Sequence, residues 1–236
     1  MIMEKKDLKS MTLEELTEEL QAMGEKSFRA KQLYQWMHQK LAADFDEMTN
    51  LSKPLRDRLA REYIWTALET VEVKVSGVAG TRKYLFRLND GNVIESVLMR
   101  YHHGNSVCVS SQAGCRMGCR FCASTLDGLA RNLLPAEILE LVYRIQRETG
   151  ERVSNVVVMG SGEPMDNYDS VVRFIRLLSA PEGLNISQRN ITVSTCGLVP
   201  QIRKLAEEGL QITLARSLPA PNAQVRRQLM TIANRY

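Results

Sequence analysis

The 236-residue chain has no stretch near the roughly 18 consecutive apolar residues that a bilayer crossing needs. Its Lys-rich start, MIMEKKDLKS, also lacks the apolar core of a secretory signal. No membrane association is expected, and a cytoplasmic location is. Internal repeats and low-complexity tracts are missing as well. Five cysteines are an odd count for a chain without an export signal, and three of them (Cys115, Cys119, Cys122) fall within eight residues. That pattern argues against a disulfide scaffold and for metal or redox chemistry. With 44% hydrophobic and 25% charged residues, the chain can fold as one large domain or as a core with a small appendage.

The net charge of +4 is too small to establish a polyanionic partner, but it is unevenly placed. Up to Val107 there are 16 basic and 16 acidic residues, and from Cys108 onward there are 15 and 11. All but one of those 15 are Arg, whose planar fork suits phosphates and carboxylates, although a solvated face with ordinary ion pairs has the same composition.

The pattern of residues changes near position 70. Before it, Thr12 with Glu15 forms a capping box ahead of Leu13, Leu16 and Leu20, with Gly24 closing the helix. A second helix is predicted over 28–41, carrying Leu33, Trp36, Met37 and Leu41. A third starts at Ser52 and Pro54 and runs toward Tyr63. Residues 1–70 therefore read as a small helical domain whose Met and aromatic positions are core packing. Over 71–100, apolar runs at 82–88 and 93–99 flank Asn89-Asp90-Gly91, a hairpin signal.

From about 101 onward strands and helices alternate. Strands are predicted at 106–110, 156–159, 191–194 and 212–217, with helices at 135–147, 171–178 and 200–208. Such alternation implies an α/β fold with a parallel sheet and crossover helices, whose ligands bind at the carboxyl ends of the strands. The loops at those ends hold Cys, Gly, Glu and Ser.

Cys115, Cys119 and Cys122 have the spacing C-x3-C-x2-C on a glycine-containing loop. A structural zinc ion takes four protein ligands, and no fourth Cys or His lies close by in sequence, since His102 and His103 precede the strand. An iron-sulfur cubane held by three thiolates leaves one iron open for a cofactor that binds metal directly. Downstream, Gly160-Ser161-Gly162-Glu163-Pro164 follows the strand Asn155-Val-Val-Val-Met159. Its glycines let the backbone approach a ligand, and Glu163 can accept from an ammonium group.

The triplet, with Phe121 before its third Cys, resembles the signature of radical S-adenosylmethionine (SAM) enzymes, and the GSGEP turn resembles their SAM-binding loop. Further phrases narrow the likeness. Cys108-Val-Ser-Ser-Gln-Ala-Gly-Cys115, Arg131-Asn132-Leu133, Thr192-Val-Ser-Thr-Cys-Gly-Leu-Val-Pro200 and Ser217-Leu-Pro-Ala-Pro-Asn222 look like the RlmN/Cfr-type 23S rRNA adenine methyltransferases. The phrases beginning at Gly24 and Met48 resemble the RNA-binding domain of the RlmN branch. The resemblance runs over essentially the whole chain and implies a partial (β/α) radical SAM barrel after the helical domain.

It also implies a reaction. A 4Fe-4S cluster on Cys115, Cys119 and Cys122 cleaves SAM to a 5'-deoxyadenosyl radical, and carbon 2 of an adenine in 23S rRNA, and in certain tRNAs, is methylated through a methyl-cysteine. Glu95 matches the residue that takes the base proton, and Cys108 the thiol that resolves the protein-RNA thioether as a disulfide. Taken alone, each would read otherwise: a hairpin Glu is ordinarily solvated and a strand-end Cys is ordinarily a packed small residue. Gly162, Glu163, Ser194, Ser217, Leu218 and Pro219 fall where the family contacts SAM, while Cys196 matches no ligand position and reads as a buried small residue. An electron donor such as flavodoxin and a monomeric intact enzyme are further implied.

Family members continue beyond the equivalent of Tyr236, and the methyl-carrying cysteine, a last SAM contact and the final barrel strands are expected there. This chain is accordingly expected not to complete turnover by itself, and to self-associate through its open edge. Arg216 and Pro219 depart from the family, which has Ser-Leu-His-Ala at Ser217-Leu-Pro-Ala220. Proline offers no side-chain hydrogen bond there. Two competing readings are a Cfr-like carbon-8 methyltransferase, disfavoured by the helical domain, and a non-catalytic RNA-binding module holding zinc or nothing.

Overall fold

Thr12 starts the first helix of the computed structural model, which describes residues 5–235. The Thr12 hydroxyl accepts from the Glu15 N–H at 3.2 Å, and the Glu15 carboxylate accepts from the Thr12 N–H at 2.9 Å. These reciprocal bonds satisfy donors that would otherwise be orphaned at the entrance of α1 (Leu13–Ala22). Leu16 and Leu20, four apart, lie fully buried on its inner face. Helices α2 (Phe28–His38) and α3 (Lys53–Glu62) complete the unit, the latter with proline in its first turn.

One buried cation seats this unit on the rest of the chain. Lys9 Nζ lies 2.5 Å from Glu140 Oε1 of α4 (Pro135–Thr149), donates to the Thr66 carbonyl at 2.7 Å and sits 3.9 Å from the centroid of the Trp65 ring. Arg147 Nη2 takes the other Glu140 oxygen at 2.8 Å. Ion pairs at this depth persist only when fully partnered, as here.

A seven-stranded sheet forms the centre. In sequence its strands are β1 (Glu69–Val75), β2 (Arg82–Arg87), β3 (Val93–Tyr101), β4 (Gly104–Val109), β7 (Val153–Val158), β8 (Ile191–Thr195) and β9 (Thr213–Arg216). They lie side by side in that same order, antiparallel from β1 to β4 and parallel from β4 to β9. β5 (Gln112–Gly114) and β6 (Leu129–Asn132) pair as a separate ribbon. The parallel connections run through α4, α5 (Tyr168–Ser179) and α6 (Val199–Glu207), with α7 (Ala223–Leu229) after β9. The α/β alternation, the parallel half of the sheet from β4 to β9 and the preceding helical unit agree with the sequence reading, and the hairpin strands continue the same sheet. β1 and the ribbon were not anticipated.

Register separates the two faces. Ile94, Leu98, Val107, Val109, Val156, Val158, Ile191 and Val193 are buried in one apolar cluster with residues of α4 and α5. On the opposite face Lys83, Val97, Cys108, Val157 and Thr192 form one cross-strand row, with Glu95 and Ser194 one step further toward the loops. Alternation with period two sets this division, and it gathers polar and thiol groups where a packed core would have none.

Candidate active site

At the carboxyl ends of the parallel strands, the loop after β5 carries the cysteine triplet. The Cys115 N–H donates to the Gly128 carbonyl at 2.8 Å, tying the loop to the ribbon, and the Cys122 N–H donates to the Cys119 carbonyl at 3.0 Å. The Thr125 hydroxyl donates to both the Cys119 and Cys122 carbonyls, at 3.2 and 2.9 Å. The three thiols line one cavity of 320 Å³, together with Gly162, Glu163, Ser194 and Ser217. Seven residues from four separate stretches of sequence therefore meet there. Leu218 and Pro219 are not on its wall, and Leu218 is 69% exposed. A larger cavity of 840 Å³, between α1 and the start of α4, holds none of the predicted site residues.

Two glycines make the turn after β7 possible. A Cβ on Gly160 would stand 2.6 Å from Ser110 Oγ, and one on Gly162, where φ is +102°, would stand 2.6 Å from Gln112 Cβ. Only glycine fits such close backbone approaches. The turn delivers Glu163, which is buried. Its Oε1 accepts from the Met165 N–H at 3.0 Å and its Oε2 from the Cys196 N–H at 2.8 Å, fixing the carboxylate on the cavity wall.

Electrostatically the cavity is short of positive charge. Burial pushes the Cys115 thiol up, opposed by the Met117 N–H, and the neighbouring Cys122, Glu163 and Asp166 push it further. Burial likewise raises Cys119, with Cys115, Cys122 and Glu163 adding to the effect and Arg226 opposing it. Such a donor set favours a cation, because coordination to metal removes thiol protons outright. Among the described residues no group of three or more Cys, His, Asp or Glu side chains already stands at metal-ligand spacing. Nonetheless three thiols on one glycine-containing loop, lining one cavity, fit a cluster held by three cysteines.

Glu95 and Cys108 sit beside this cavity. Glu95 lines an adjoining one of 390 Å³ with Ser124 and Ser161, and its Oε1 meets Lys83 Nζ at 2.7 Å. Cys108 is half-buried on β4. Its thiol is pushed up by burial and by the Glu95 charge, against the effect of the Met159 N–H. All five cysteines are free thiols, so no disulfide partner for Cys108 is found among the described residues.

Sequence reasoning missed part of the wall. Cys196 is buried, as expected for a small residue, but it also lines the cavity of the three thiols, as does Met230. Burial and Glu163 together push its thiol well up. The available signal was its position one residue past β8, at the end of a parallel strand where ligands bind.

Three thiols and a Gly-Glu-Pro turn at the carboxyl edge of a parallel sheet define a class, and residues 109–234 match the model of the Radical SAM superfamily, to which the chain belongs. Residues 6–64 match the Ribosomal RNA large subunit methyltransferase N-terminal domain, and with this pairing of domains the chain is a member of the RlmN family. A probable dual-specificity RNA methyltransferase RlmN from Lachnoclostridium phytofermentans is 65% identical over 235 residues, covering 100% of this chain and 66% of that protein. Its namesake from Clostridium novyi is 51% identical over 231 residues, covering 98% and 67%. The crystal structure of a radical SAM methyltransferase from Sphaerobacter thermophilus superimposes with a TM-score of 0.93 at 45% identity, over 98% of this chain and 69% of that one. The chain thus spans about two thirds of the length of these relatives.

Proposed function

We propose that the chain carries the radical SAM core of an RNA methyltransferase that methylates carbon 2 of an adenine in 23S rRNA and in certain tRNAs. The observation that carries this reading is the single cavity shared by Cys115, Cys119, Cys122, Gly162, Glu163, Ser194 and Ser217. The three cysteines would hold a 4Fe-4S cluster with one iron left for SAM. Together the bound cluster and SAM supply one-electron cleavage of a sulfonium, which opens radical routes to a carbon that is not nucleophilic.

The protein's own groups have separate tasks. Glu163, anchored through both oxygens, keeps lone pairs for the ammonium of SAM, while the Ser194 and Ser217 hydroxyls offer hydrogen bonds along the same wall. Glu95 is the base for the adenine proton; it lines the adjoining cavity, and its Oε1 meets Lys83 Nζ at 2.7 Å. The Cys108 thiol resolves the covalent adduct. By family resemblance, the position of the cysteine that carries the methyl group matches none of the five cysteines present. On this reading the described residues supply the SAM-cleavage part of the reaction.

Kinship to proteins named as dual-specificity RNA methyltransferases supports the RNA substrates, and the Arg-rich second part of the chain suits phosphate contact. Pairing with a reductant such as flavodoxin, a monomeric intact enzyme and a cytoplasmic location belong to the same proposal. No helix among the described residues is long and apolar enough to cross a membrane.

The test is anaerobic reconstitution with iron and sulfide, followed by assay for 5'-deoxyadenosine, beside a C115A/C119A/C122A variant. Cleavage that requires the triplet is expected. Zinc in place of iron and sulfide, or cleavage indifferent to the triplet, would overturn the reading.

A further inference from the structure

Gln112, the first residue of β5, is fully buried, and every polar atom of its amide is used. Its Oε1 accepts from the Glu163 N–H at 2.8 Å. Its Nε2 donates to Asn132 Oδ1 at 2.8 Å and to Asp166 Oδ2 at 2.9 Å. Only this orientation of the amide works, since the reverse would set its oxygen against the Asp166 carboxylate. Asp166 then accepts from Arg116, through Nε at 2.9 Å and Nη2 at 2.5 Å. Arg116 directly follows Cys115 in the thiol loop.

We propose that Gln112 is a positioning residue that locks the Glu163 turn and the thiol loop into one frame, setting the SAM site and the cluster site at a fixed separation. This rests on the assignment of Glu163 to SAM and of the three cysteines to the cluster. The two loops are 48 residues apart at Cys115 and Glu163 (163 minus 115), so covalent connection does not fix their spacing. The side-chain contacts Glu163 to Gln112 to Asp166 to Arg116 do so, together with the backbone bonds from the Ser111 and Gln112 N–H groups to the Ser161 carbonyl. Packing reinforces them, because the absent Gly162 side chain leaves room for the Glu163 turn to rest on Gln112 itself.

The Glu163 carboxylate is held independently by the Met165 and Cys196 N–H groups. Losing the Gln112 side chain therefore leaves the acid in place and cuts the link between the Glu163 N–H and Asp166, while the Ser111 and Gln112 N–H groups still hold the Ser161 carbonyl. Neither methionine nor glutamate can substitute. Methionine keeps the volume without the hydrogen bonds, and an ionised glutamate has no donor for Asn132 or Asp166.

The experiment uses the full 236-residue chain, reconstituted anaerobically, with Q112M, Q112E and R116M. Arg116 has a side chain 63% exposed although its partner Asp166 is only 8% exposed, so R116M breaks the frame from its outer end, and thermal unfolding checks that the variant stays folded. Readouts are bound iron and sulfide, the SAM dissociation constant by equilibrium dialysis, and the EPR spectrum of the reduced cluster with and without SAM. Expected are retained iron, a SAM dissociation constant raised about tenfold in the Gln112 variants and by a smaller factor in R116M, and a diminished SAM-induced change in the EPR spectrum. If the Gln112 variants do not fold, R116M decides, and its binding SAM with the wild-type constant and EPR change overturns the proposal. The same result in a folded Q112M does so too. A wild-type chain that takes up neither cluster nor SAM instead overturns the underlying assignment, and with it anything for Gln112 to position.

Discussion

Glu163 and Cys196, 33 residues apart, are joined by a hydrogen bond of 2.8 Å from the Cys196 N–H to Glu163 Oε2. It fastens the turn after β7 to the end of β8 and makes one carboxylate serve two strands. The other oxygen accepts from the Met165 N–H at 3.0 Å, so removing the acid strands two donors in a buried place. For E163A we expect a stability loss of about 1–3 kcal/mol for each donor left unpaired, with SAM affinity reduced at least about tenfold. Thermal unfolding and equilibrium dialysis check the two effects, and wild-type SAM affinity in E163A would refute the assigned contact.

Cys196 shares its wall with the cluster thiols, and its size matters more than its sulfur. C196S should retain iron, sulfide and SAM binding. C196F, which adds a ring to a cavity of 320 Å³, should lose SAM binding. Iron analysis with dialysis separates the outcomes, and SAM binding by C196F would show that this wall is not where the ligand lies.

Gly162 combines a φ of +102° with a Cβ position 2.6 Å from Gln112, whereas Gly209, at φ +68°, has nothing within 4 Å of its Cβ position. Both alanine variants incur the left-handed backbone cost of about 1–2 kcal/mol, but only G162A must also shift the SAM turn. G162A should lose both stability and SAM affinity, and G209A stability alone. Equal SAM affinities in the two would contradict this.

His38 is buried against Tyr143, with Nδ1 2.8 Å from the Tyr143 hydroxyl. Burial, with the Lys9 charge adding to it, lowers its pKa to about 3, against an ordinary value near 6.5. Between those values the unfolded chain binds the proton and the folded chain does not, so stability is fully present above about pH 6.5 and falls as the pH drops toward 3. The slope from this residue is about 1.4 kcal/mol per pH unit. Urea unfolding from pH 7 to 4 should show it in the wild type and not in H38Q, and parallel curves for the two proteins would exclude His38 as its source.

Local chemistry was readable in the sequence wherever a few consecutive residues decide a structure. Thr12 and Glu15 cap their helix through each other, Asn89-Asp90-Gly91 turns a hairpin, and the close spacing of Cys115, Cys119 and Cys122 brings all three to one cavity. β1 escaped because six of its seven residues are exposed, so no buried face imposes the alternation by which strands are recognised. β5 and β6 escaped because strands of three and four residues are too short to show a period.

What the sequence determined by itself, then, is the alternation of the main parallel strands with their helices, the donor types and the family. Only the tertiary structure decided which distant residues share a wall. Cys196 enters the cavity of the three thiols because β8 lies next to β7 in the sheet, and Gln112 reaches both loops because the ribbon folds back over the strand ends. Those positions depend on the pairing of strands and on the burial of polar groups that must then find partners, and neither is a property of any short stretch of chain.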